Sequence, residues 1–99
     1  LFTGRRFVAS VALQMGLVNR VVPADKLMAE AEQLLRTILA NGPLAVRLCI
    51  EAVDAGLEMS LDEALLLEAN HFGLLASTDD MREGMGAFLE KRTASFRGR

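Results

Sequence analysis
Apolar residues recur at helical spacing along most of this 99-residue chain. From Ala24 to Ala40, Leu27, Ala31, Leu34 and Ile38 fall on one stripe, widened by Met28, Leu35 and Leu39, which predicts an amphipathic helix. Asn41-Gly42-Pro43 ends that helix and opens the next, since glycine suits a helix end and proline a first turn. The segment from Pro43 to Ala55 is expected to bury Leu44, Leu48, Cys49, Ala52 and Val53, with Gly56 closing it. Ser60-Leu61-Asp62-Glu63 reads as a capping box, with Met59 before it as a hydrophobic staple. The helix it opens runs to about Ser77 and is expected to bury Leu61, Leu65, Leu66, Ala69, Phe72 and Leu75.

A last helix is predicted after Thr78-Asp79-Asp80, whose threonine can cap and whose acids favour a helix N-terminus. Met81, Met85, Phe88 and Leu89 give it an apolar face. Gly84 and Gly86 weaken it by about 1 kcal/mol each against alanine, which implies that another backbone or a ligand comes close. At the other end of the chain, residues 1–7 read as a frayed helix end and a loop, with Gly4 as a stop. Ser10 can cap a short helix over Val11 to Met15, ended by Gly16. Leu17 to Val22 is β-branched and brief, so it is the one strand candidate, and Pro23 ends it. These elements make a mainly α chain of three to five helices.

Composition changes this picture in one respect. Residues of the set AVILMFWYC make up 52% of the chain before its eight glycines are counted. Typical usage of a similar set including glycine is about 45–50%. A domain this small buries only about two-thirds of its unfolded surface, so a second chain or further sequence is the expected sink for the excess. The net charge of −2 gives no basic field for general nucleic-acid binding. No apolar run approaches the roughly 18 residues of a membrane span. The single Cys49 and the lack of a charged-then-apolar leader point to a reducing, cytoplasmic setting. The opening Leu1-Phe2-Thr3 reads as the end of an element that starts earlier.

Few residues offer chemistry. Glu68 and His71 have the spacing of half a helical di-iron site, but such a site needs a second copy and two further carboxylates. No second histidine exists, so a hydrogen-bonded or exposed histidine is expected and no metal is assigned. Cys49 is expected to be a buried, inert thiol. Glu30, Glu32, Glu51, Asp54 and Glu58 read as solvated helix faces. Lys91, Arg92, Arg97 and Arg99 fit either a solvated tail that offsets the helix dipole or an anion site. In the second case Phe88, three residues before Lys91, supplies a flat apolar face beside a phosphate-binding cation.

Four stretches carry a family resemblance: LFTGRRFVASVALQMGLVNRVVP (1–23), NGPLAVRLCIEAVDAGLEMSLDEALLLEANHF (41–72), STDDMREGMGAFLEKR (77–92) and ASFRGR (94–99). In order and spacing the chain resembles the C-terminal third of the enoyl-CoA hydratase/isomerase (crotonase) family. Ile50 departs from it, standing where a lysine is common. The resemblance implies an enzyme acting on acyl-CoA thioesters, adding water across a 2-enoyl-CoA to give a 3-hydroxyacyl-CoA. It implies that oxyanion-binding amides and two acid–base glutamates belong to a preceding region, so no catalytic residue is assigned here. CoA is part of the substrate, and no separate cofactor is implied.

The fold expected on this basis is a small bundle of about four to five helices, the C-terminal helical domain of a crotonase-like fold. Residues 1–22 are expected to be the tail of the core and 23–99 a helical assembly domain. Homo-oligomers, trimers or paired trimers, are implied. Matching the AFLEKR motif position by position puts CoA binding on Phe88 and Lys91, which helical spacing would place on nearly one face. By itself the 99-residue piece is expected to be inactive. Isomerase, dehalogenase or thioesterase chemistry, or a helical interaction module unconnected with acyl-CoA, are the alternatives.

Overall fold
The computed structural model describes residues 4–99. Five α-helices follow one another: α1 (Ala9–Gln14), α2 (Leu27–Leu39), α3 (Pro43–Gly56), α4 (Leu61–Ala76) and α5 (Asp79–Glu90). One turn of 3-10 helix, Ala24–Lys26, leads into α2. The chain forms two compact units, Leu1–Leu34 and Leu35–Arg99, with the division inside α2.

In the first unit, α1 begins two residues before the predicted start, and Val8 at its N-terminal boundary makes no side-chain cap. It ends as predicted at Gly16, in the left-handed region at φ 71°. The Leu17 amide donates to the Ala12 carbonyl at 2.9 Å and the Gly16 amide to Leu13 at 3.1 Å, which satisfies the last carbonyls. Among the described residues the stretch 17–22 forms no strand. A strand is held by a ladder to a second one, and β-branched residues alone supply no partner. Arg20 instead reaches Glu30 at 3.1 Å. Gly4 is left-handed (φ 62°), and the helix end it was read as closing lies outside the described residues.

The second unit keeps the predicted boundaries closely. Pro43 occupies the first turn of α3 after Gly42. The capping box of α4 is complete: the Glu63 amide donates to Ser60 Oγ at 3.4 Å, and the Ser60 amide donates back to Glu63 Oε2 at 3.0 Å. The Ser60 hydroxyl also donates to that carboxylate at 2.6 Å, and these bonds hold the Glu63 carboxyl below its usual range. Thr78 Oγ1 accepts from the Met81 amide at 3.1 Å and so caps α5. Helix α3 packs on α4, and α4 on α5.

Packing departs from the sequence pattern more than the boundaries do. Among the described residues the buried apolar side chains are Ala12, Leu48 and Ala87. Of the residues expected inside α3 and α4, Leu48 is buried, whereas Val53, Leu61, Leu65, Leu66 and Phe72 are exposed. Cys49 is exposed too, contrary to the buried thiol expected. In α5 the inward face is Asp80 and Ala87, and Met85, Phe88 and Leu89 point outward. An apolar stripe predicts which face seeks cover, but a partner must be present to provide it.

Candidate functional site
The C-terminal residues after α5 are docked onto that helix, and three acids do the docking. Asp80, only 8% exposed, lies in the first turn of α5. Its Oδ1 accepts from the Arg97 amide at 2.7 Å and its Oδ2 from the Gly98 amide at 2.8 Å. The Asp80 amide donates in turn to the Arg99 carbonyl at 3.0 Å. One turn on, Glu83 takes the Arg92 guanidinium on both oxygens, at 2.6 and 3.0 Å, and the Ser95 amide at 2.8 Å. Asp79 meets Arg82 at 3.2 Å and Arg99 at 3.8 Å. Of the cations in the basic tail, Arg92 and Arg99 are therefore paired internally.

Between these anchors the Phe96 ring lies against the two glycines that open room for it. A Cβ on Gly84 would stand 3.4 Å from Phe96 Cε1, and one on Gly42 would stand 3.6 Å from Phe96 Cδ1. The close approach read from glycines inside α5 is thus real at Gly84, and what approaches is an aromatic side chain of the same chain. A Cβ on Gly86 would come within 3.8 Å of Arg92 Nη2.

Helix α5 ends with the same pair of bonds as α1. The Arg92 amide donates to Ala87 at 3.0 Å and the Lys91 amide to Phe88 at 3.3 Å. The left-handed position, which Gly16 fills in α1, is here filled by Lys91 at φ 54°, ψ 38°. For a residue with a Cβ that conformation costs roughly 1–2 kcal/mol. Lys91 thus lies past the helix rather than on its face, so helical spacing does not relate it to Phe88. Both side chains are exposed, Phe88 at 80%. Among the described residues the Lys91 ammonium has no hydrogen-bond or ion-pair partner.

The Arg92 fork and the Ser95 amide push the Glu83 carboxyl from its ordinary 4.5 down to about 2. Because the folded value is depressed, the contribution of Glu83 is complete above about pH 4.5 and is lost as pH falls toward 2. The Ser95 amide resonance is expected to titrate with a midpoint near 2, and to lose that step in Glu83→Gln. A midpoint near 4.5 would show that the fork does not persist in solution.

The other candidates resolve simply. The His71 Nδ1 lies 3.2 Å from the Leu48 carbonyl, which only accepts, so this nitrogen carries the proton. Glu68, His71 and Cys49 line an open apolar groove of about 490 Å³ between α3 and α4. Among the described residues no cluster of three or more histidine, cysteine or acidic side chains is placed to hold a metal. No helix there is long and apolar enough to cross a membrane. Glu30 and Glu51, read as solvated, pair with Arg20 and Arg47. The roles of Asp80 and Glu83 were missed because acids in a first turn already answer the helix dipole. Their three-residue spacing, facing a tail of opposite charge, was the signal available.

The sequence profile of the enoyl-CoA hydratase/isomerase family matches residues 1–99. The chain belongs to this family. It is similar to other members: 44% identical over 96 residues to a crotonyl-CoA hydratase of Syntrophomonas wolfei, covering 97% of this chain and 37% of that protein. A short-chain-enoyl-CoA hydratase of Clostridium acetobutylicum is 40% identical over 92 residues, covering 93% of this chain and 35% of that one. The crystal structure of an enoyl-CoA hydratase from Bacillus anthracis superposes with a TM-score of 0.95 at 40% identity, over 99% of this chain and 38% of that one. This hydratase/isomerase chain thus spans little more than a third of the length of the relatives it matches. Its mainly α architecture is the one found in that part of its structural relatives.

Proposed function
We propose that the chain is the C-terminal helical part of an enzyme that adds water across the double bond of a 2-enoyl-CoA. The observation that carries this reading is identity of 40–44%, over nearly the whole chain, to proteins named as crotonyl-CoA and short-chain-enoyl-CoA hydratases. The reaction needs amides aimed at the developing oxyanion and carboxylates within reach of water. Those are proposed to come from outside these residues, since the acids gathered here, Asp79, Asp80 and Glu83, already have partners. The share of this chain is assembly into a cytoplasmic homo-oligomer through its apolar faces, and one edge of the CoA site. Isomerisation of an enoyl-CoA is the second reading, because the family profile spans both reactions.

At the CoA edge, Lys91 takes a phosphate of the nucleotide and Phe88 offers its ring to the adenine. Two features support this: an ammonium without a partner among the described residues, kept in a costly backbone conformation, and an aromatic ring left exposed three residues before it. A phosphate on one exposed lysine gains about 1 kcal/mol, because water and salt screen it. In the whole protein, Lys91→Ala is expected to raise KM for a CoA thioester about fivefold and leave kcat unchanged, since the contact is equal in ground and transition states. Phe88→Ala, which removes an exposed ring and so leaves the fold intact, should act similarly. A pantetheine thioester lacking the nucleotide should show no change in either variant. Equal weakening of both thioesters would remove Lys91 and Phe88 from the nucleotide site.

A further inference from the structure
The turn that carries Lys91 is restrained more heavily than a helix end requires. Its two carbonyl-satisfying bonds would form equally well with glycine, as they do at Gly16. Around Lys91, however, the neighbours on both sides are tied together: Arg92 Nε donates to Glu90 Oε2 at 2.6 Å, across the lysine between them. The remaining guanidinium nitrogens grip both oxygens of Glu83 at 2.6 and 3.0 Å. Glu83 is fixed further by the Ser95 amide at 2.8 Å. An isolated exposed ion pair does little, but a bidentate fork inside a network is the exception.

Charge counting separates Lys91 from its neighbour Arg92. Two carboxylates surround one guanidinium, so the Glu83–Arg92–Glu90 group is net negative and Arg92 has no face to spare. The Lys91 ammonium stands beside it without a partner among the described residues. We propose that Glu83 and Arg92 are positioning residues, whose ion pair holds the Lys91 backbone in its left-handed turn and so aims the ammonium at the nucleotide phosphate. This rests on the reading of Lys91 as the phosphate contact, and it assigns the turn's geometry to residues that touch no substrate.

Two measurements on the whole protein test it. Glu83→Gln keeps the shape and removes the charge, and Arg92→Lys keeps the charge and removes the fork. Each is expected to speed hydrogen exchange of the Arg92 amide about tenfold, with the Ala64 amide in the α4 cap unaffected. Each should also raise KM for the CoA thioester about threefold, leaving kcat and the pantetheine thioester unchanged. In a Lys91→Ala background, Glu83→Gln should add no further rise, because the group it positions is gone. Lys91→Gly combined with Glu83→Gln should restore slow exchange, since glycine accepts the turn unaided, without restoring KM.

Unchanged Arg92 exchange in Glu83→Gln would overturn the positioning role whatever Lys91 does. An equal KM rise with and without Lys91 would overturn it as well, leaving the Lys91 contact itself intact. If Lys91→Ala alone fails to discriminate between the two thioesters, the phosphate reading falls, and the exchange result then reports separately on whether the pair holds the turn.

Discussion

At tens of micromolar the 99-residue chain is expected to sediment well above its 10.8 kDa monomer mass. Its accessible surface is 8611 Å². A folded monomer of this mass exposes about 5,500 Å², so roughly 3,000 Å² stands in excess. That is the area range of obligate interfaces. The excess is apolar in character: Leu61, Leu65, Leu66 and Phe72 of α4 are all exposed, as are Leu34, Leu35 and Leu39 of α2. At about 25 cal/mol per Å², covering even a third of it would offset the cost of bringing two copies together. Sedimentation equilibrium reads the mass directly, and binding of an apolar fluorescent dye should fall as concentration rises. A clean monomer across this range would show that the exposed faces do not drive association of the chain alone.

Asp80→Ala is expected to destabilise the second unit by about 3 kcal/mol, the most of any single change among the groups that dock the tail. The carboxylate accepts two backbone amides, from Arg97 and Gly98, and it is buried, so water cannot replace it in place. Its charge also sits in the first turn of α5, where the helix dipole favours it. Losing all three should free the tail and let Phe96 leave Gly84 and Gly42. Asp80→Asn should cost about half as much, since the amide keeps one acceptor oxygen and turns a donor toward the other N–H. Thermal unfolding should show Asp80→Ala melting at least about 10 °C lower. Hydrogen exchange should show the Arg97 and Gly98 amides unprotected. A change below about 0.5 kcal/mol would mean that the tail does not contribute to the stability of the unit.

The family could be read from residues: GLVNRVVP and EGMGAFLEKR in one chain, in order, carry a resemblance that the profile match over residues 1–99 bears out. The motif behind the proposed CoA edge was legible, with Phe88 and Lys91 in it. How those residues are held was not. The fork joins Glu83 to Arg92 across nine positions, through a turn whose handedness no local propensity for lysine would predict. A glycine at residue 91 would have announced that turn, as Gly16 did.

What the sequence determined by itself is most of the points where helices start and stop. The Ser60–Glu63 box, the Thr78 cap, Gly42-Pro43 and Gly16 all act through hydrogen bonds or steric limits within about four residues, so their effect is written locally. The tertiary structure decided which faces are covered. In α5 it buried Asp80 and Ala87 and left Phe88 and Leu89 outside, because the tail's amides needed an acceptor and its Phe96 ring needed the space beside Gly84. Among the described residues it also left Cys49 exposed and 17–22 without a strand, since no other element covers the one or pairs with the other. Burial and strand pairing depend on a partner brought from elsewhere, and the periodicity of a segment encodes only its readiness to accept one.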